Sequence, residues 1–208
     1  MFSDSYTQIE HGAAAEILDQ LNPLLDGAPF DASMARVLSH DLPFYNGYSL
    51  IEVTDHDVNP PRQISFVYKN TEGGDRVFIL NGQNEIIYFL NKHVPIFLSA
   101  EIIKLYVRFF FSYVRGRHGR FIIVENVDEI DWREEPAPAG RKALGKMIEP
   151  LDIKNVTAEG VYHLKASIIF KDSLFESDIS VDESGNVSLS NQELLVEDIP
   201  VIDDHFEQ

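Results

Sequence analysis

The chain has 208 residues, no cysteine and a net charge of −17. That length supplies an ample core for one large domain or two small ones. The lack of cysteine excludes a disulfide, a cysteine-ligated zinc and a cysteine nucleophile, and the acid excess disfavours phosphate backbones, so neither nucleic acid nor an anionic membrane surface is an expected partner.

Apolar residues make up 44% and charged residues 25%, which is ordinary globular usage and argues against global disorder. The charge is uneven. Residues 1–60 carry ten acids and one base, residues 61–125 five acids and nine bases, and residues 126–208 nineteen acids and seven bases. A basic middle therefore lies between two acidic ends, and the simplest account is partial neutralisation within the fold. The first six residues hold no basic group and no apolar run, so a signal peptide is not expected. No apolar stretch approaches the roughly 20 residues that a bilayer demands. The expected setting is a cytoplasmic, soluble protein.

In chain order, residues 6–21 read as a helix, with Ile9, Ala13, Ile17 and Leu21 at helical spacing. Asn22-Pro23 should end it. Residues 31–38 suggest a second, short helix, and residues 40–48 a pair of turns. Strands are expected at 48–53, 63–68 and 76–80. Pro60-Pro61 lies between the first two, and a polar turn around Gly73-Gly74 between the next two. Residues 81–84 have hairpin-turn chemistry, and 85–90 read as a fourth strand, with a short helix as the alternative.

The clearest element covers about residues 100–115. Ser99 suits an N-cap and Gly116 a C′ position. The polar residues Glu101, Lys104, Arg108, Ser112 and Arg115 form one narrow stripe, and every other residue from Ile102 to Val114 is apolar. Such a helix must be covered on most of its circumference. A strand is expected at 121–125. Residues 128–141 are acidic and rich in Pro and Ala, which suggests a linker or long loop. Residues 164–189 alternate as a β-meander with one apolar face and turns at 172–173 and 182–185. The expected fold is α+β, with antiparallel sheet packed on a central, mostly buried helix and a C-terminal β-meander. The chain reads as a single domain, or as two closely packed parts, 1–127 and 146–208, joined by the acidic segment 128–145.

Two stretches, residues 105–116 (LYVRFFFSYVRG) with 121–125, and residues 174–187 (LFESDISVDESGNV), resemble a family of uncharacterised proteobacterial proteins of similar size. The resemblance implies a bacterial, cytoplasmic setting and brings no site residue with it.

The strongest chemical oddity follows the central helix: Arg115, Arg117, His118 and Arg120, interleaved with Gly116 and Gly119. Guanidinium forks and an imidazole on a glycine-loosened backbone suit a carboxylate or phosphate. The competing account is that cations favour a helix C-terminus and pair with the chain's own acids. Arg108, within the stripe, is the further candidate for ligand or partner contact; such a row is otherwise a solvated face. Asp55-His56-Asp57 and Asp203-Asp204-His205 hold metal-type ligands, but adjacent residues rarely converge on one ion, so no metal site is expected. No nucleophile elbow, phosphate loop or dinucleotide fingerprint is present, so no catalytic residue and no cofactor is assigned. The leading expectation is a non-catalytic interaction or scaffold domain that pairs with itself or another protein. The alternative is a small-ligand-binding protein or enzyme with a pocket between curved sheet and helix.

Overall fold

The computed structural model describes residues 6–71 and 76–202. The Gly73-Gly74 turn, the first five residues and the Asp203-Asp204-His205 group lie outside the described residues. The chain separates into two compact units, residues 6–81 with 93–97, and residues 82–92 with 98–202. The acidic segment 128–145 lies inside the second unit.

The first unit is an antiparallel meander under one helix. Its elements are β1 (Thr7–Gln8), α1 (His11–Leu21), β2 (Arg36–Asp41), β3 (Tyr48–Asp55), β4 (Arg62–Lys69) and β5 (Val77–Ile79), with the strands in sequential order across the sheet. The helix starts later than its periodicity suggests, because Thr7 and Gln8 pair with Ser39 and Leu38. Ala14, Ile17, Leu18 and Leu21 then form a stripe that packs on Val37, Ile51, Val53 and Phe66. Asn22 closes the helix with its amide, bonding both the carbonyl (3.0 Å) and the N–H (2.8 Å) of Phe30. The short helix expected at 31–38 is absent. Asp31 instead caps a turn by accepting from the Ser33 N–H and hydroxyl, and residues from Arg36 onward join β3. Local capping followed by sheet pairing overrides a weak helical pattern.

The second unit holds α2 (Asn84–His93, of which residues 84–92 belong here), α3 (Ile103–Tyr113), β6 (Arg115–Gly116), β7 (Gly119–Val124), α4 (Pro138–Gly145), β8 (Asp152–Val156), β9 (Tyr162–Phe170), β10 (Ser173–Val181) and β11 (Val187–Val196). The sheet runs β11-β10-β9-β7-β6, and the meander expected from 164 onward is β9–β11. The other edge of β9 is shared: β8 pairs with its first half and β7 with its second. Residues 84–93 are helical, not the strand their short apolar run suggests. Ile87 and Leu90, three apart, are fully buried, and the residues at 81–84 form no hairpin.

The helix α3 is enclosed, as its composition requires. Ile103, Tyr106, Val107, Phe109, Phe110 and Phe111 are each at most 5% exposed. On the sheet face beneath, the register pair Phe121 and Phe170 stacks with centroids 4.6 Å apart, and Phe111 meets Phe121 edge-on. Tyr88 of α2 stacks on Phe110. Neighbouring residues on a strand face opposite ways, so Ile169 and Leu174 point to the other face. There they join Ile130, Leu144, Ile148 and Val201 in a second cluster. The segment after β7 is thus not a linker. Its apolar residues strap it to the sheet, and Trp132 bridges to Val201.

Aromatic packing forces polar groups under cover, and the Tyr106 hydroxyl is met on both sides. The Tyr106 hydroxyl donates to the Gly185 carbonyl (2.6 Å) and accepts from the Asn91 amide (2.8 Å), which also reaches Gly185. Burial pushes the Tyr106 pKa up, so the hydroxyl stays a donor. This network ties the β10–β11 turn to α2 and α3. Tyr106→Phe is expected to lower the unfolding free energy by about 1–2 kcal/mol, seen as a lower urea midpoint with an unchanged slope. An unchanged midpoint would show that the network contributes nothing.

Candidate functional site

The basic segment after α3 folds as a tight hairpin. The helix ends without a left-handed cap: Val114 is extended (φ −112°, ψ 132°) and its N–H still bonds the Phe110 carbonyl. The Arg115 N–H then donates to the Gly82 carbonyl at 2.8 Å. Nor does the Ser99 side chain cap the other end; the first helical turn hangs on the Ser99 carbonyl, which accepts from the Ile103 N–H at 2.8 Å. In the hairpin, Arg115 sits opposite Arg120 and Gly116 opposite Gly119. Arg117 and His118 form the exposed tip. Gly116 is required by packing and not by its dihedral angles. A Cβ there would come within 2.7 Å of the Phe121 ring, and that ring is pinned by its stack on Phe170.

The structure brings four of the five candidate residues together. Arg115 and Arg120 face each other across the ladder, an arrangement of like charges that costs stability unless acceptors meet them, and both have partners. Arg117 and His118 project beyond them. Arg108 is elsewhere. Its guanidinium forks onto Glu125 at the end of β7, with Nε to Oε2 at 2.6 Å and Nη2 to Oε1 at 2.8 Å. Burial pushes the Glu125 carboxyl up, but the Arg108 hydrogen bond and charge outweigh it and hold the group below the usual glutamate value. Lys104 of the same stripe pairs with Asp152 at 3.1 Å. The stripe is thus in part a row of internal ion pairs.

Asp55 accepts from the Asp57 N–H in a local turn and His56 is exposed. Among the described residues, no group of three or more His, Asp or Glu could hold a metal ion. No described helix is long and apolar enough to cross a membrane.

A second candidate was read in the sequence only as turns. In the first unit, Asp41, Tyr45, Asn46, Tyr48, Asn70 and Phe97 line an open cleft of about 570 Å³. Two successive turns shape it: the Tyr45 N–H bonds the Leu42 carbonyl, and the Tyr48 N–H bonds the Tyr45 carbonyl. Gly47 supplies the positive φ of 81° that the second turn needs. Buried Ser49 accepts from the Asn70 amide (3.0 Å) and donates to Asp41 (3.4 Å). The sequence signal was the Asn46-Gly47 dipeptide. Nothing in it announced that Phe97, about fifty residues on, would join.

No protein-family model, curated protein or solved structure matches the chain.

Two substitutions, with a third as control, test this framework. Glu125→Gln should destabilise by about 1–2 kcal/mol at pH 7. The pair's contribution is complete above the unfolded glutamate pKa of roughly 4.3. It is lost as pH falls through the lower folded value, so the wild-type and mutant stability curves should converge in acid. Parallel curves down to about pH 3 would exclude a charge-based role for the pair. Gly116→Ala should cost about 1–3 kcal/mol through overpacking on Phe121. Gly140→Ala, with its nearest neighbour 4.0 Å away inside α4, should leave stability unchanged or raise it. Equal effects in thermal melts would contradict the packing account.

Proposed function

We propose that the chain is a non-catalytic interaction domain that presents the β6–β7 hairpin to an acidic protein surface, with a second copy of itself as the first partner to consider. The observation that carries this reading is the projection of Arg117 and His118 from a hairpin whose base is fixed by Phe121 and the end of α3. A rigid base lowers the ordering cost of association. The chain's own acid excess supplies complementary surface, since 34 acids stand against 17 lysines and arginines. Charge complementarity of this kind speeds encounter and fixes register more than it adds affinity. The setting proposed with it is bacterial and cytoplasmic, from the resemblance of residues 105–116, 121–125 and 174–187.

The pocket expected between sheet and helix finds little support, because Tyr106, Phe109, Phe110 and Phe111 fill that space. A small-ligand reading is favoured instead by the cleft of the first unit.

Light scattering across ionic strength tests the self-association. The expected result is a dimer at about 50 mM salt that dissociates toward 500 mM, as screened charges predict. Arg117→Glu with His118→Glu should shift the equilibrium to monomer at low salt without changing the melting temperature. A monomer at every salt concentration would remove the second copy as partner.

A further inference from the structure

We propose that the cleft of the first unit is a binding site for an alkylammonium group, with Asp41 as its counter-charge and Phe97 as its aromatic wall. This rests on different residues from the hairpin reading and stands or falls separately.

The lining carries one carboxylate and no cation. Asp41 is exposed and makes no ion pair among the described residues; its carboxylate accepts from the Ser49 hydroxyl at 3.4 Å. Beside it stand the half-buried Tyr48 ring and the exposed Phe97 ring. A cation is attracted to the face of such rings and to the carboxylate at once, whereas an anion meets only negative charge. The lining also lacks the deep apolar enclosure that a hydrophobic ligand needs.

Phe97 is the second observation. It is 54% exposed, and its backbone is anchored. Its N–H donates to the Phe44 carbonyl at 3.0 Å, and the adjacent Ile96 bridges to Tyr45. A large exposed ring on an anchored backbone at the mouth of a cleft is a wall for a group to lie against. The floor is equally fixed. The Asn70 N–H bonds the Gly47 carbonyl at 2.9 Å, and its side-chain amide is committed to Ser49. The charge that remains to meet a ligand is the Asp41 carboxylate, which suits a cation. The net charge of −17 raises the local concentration of any cation near the surface.

The group could arrive as a free organic ammonium ion or as a lysine side chain of a peptide. Two-dimensional NMR titrations of the full chain with choline and with a short neutral peptide bearing one lysine separate these sources. Saturable shifts at Asn46, Gly47, Asn70 and Phe97 are expected with at least one probe, and the tighter probe identifies the source. The neutral carbon isostere of choline, dimethylbutanol, should give none. Asp41→Asn should weaken binding about tenfold, and Phe97→Ala several-fold. Both residues are exposed, so both variants should keep the wild-type spectrum elsewhere. Absence of saturable shifts with both probes, equal shifts with the neutral isostere, or unchanged affinity in Asp41→Asn would each overturn the proposal.

Discussion

A helix that is apolar on most of its circumference cannot end at one sheet face, and α3 sets this demand on the whole second unit. Ile103 to Phe111 offers aromatic and branched side chains in nearly every direction. The sheet meets one side through Phe121 and Phe170, and α2 meets another through Tyr88. What remains is the stripe of Lys104 and Arg108, and there the chain supplies its own counter-charges, Asp152 and Glu125. Burying aromatic area at this density also traps polar atoms, because the chain must cross over the helix to cover it. The Tyr106, Asn91 and Gly185 network answers that. Without it the turn at 182–186 would leave an unmet carbonyl under the fold, and an unmet buried group costs more than a bond gains.

Elements with a strong period were legible in the sequence, and those set by neighbours were not. The helix α3 and the strands β3, β4, β7, β9 and β10 lie where their patterns put them. The run at 85–90 is short and apolar, and such a run carries no period that distinguishes strand from helix. Its state is decided by Tyr88 and Asn91, whose side chains reach the β10–β11 turn almost a hundred residues away. The segment at 128–145 misled for a different reason. Its acids and prolines dominate the composition, but Ile130 and Leu144 within it, and Ile148 just beyond, decide where it goes. Arg141 then bonds Asp128 and Glu135, so charges that suggested a linker pair with one another within the segment.

The candidate sites divide along the same line. The basic hairpin was visible because its residues are contiguous. The separate role of Arg108 was not, since the helical spacing that joins it to Arg115 says nothing of Glu125. The cleft was the least legible of all. Its lining comes from the ends of β2, β3 and β4 and from Phe97, and only the sheet register places Asp41 opposite Ser49.

The edge of the second sheet bears on how copies of the chain would meet. The strand β11 is ten residues long and carries one charge, Glu193. A long, weakly charged edge is an invitation to pair with another strand. Two register shifts break it, one between Leu174 and Phe175 and one between Glu176 and Asp178 on the partner strand. At the second, Asn191 takes a positive φ of 48° and its amide turns back to Asp178 at 2.8 Å. A bulged, twisted edge offers few consecutive N–H and C=O groups in line. Sheet extension is therefore the disfavoured route, and the proposed association would fall to side chains. Under the proposed reading, the exposed Arg117 and His118 at the hairpin tip would supply such contacts, and contacts of that kind weaken with salt where a shared sheet would not.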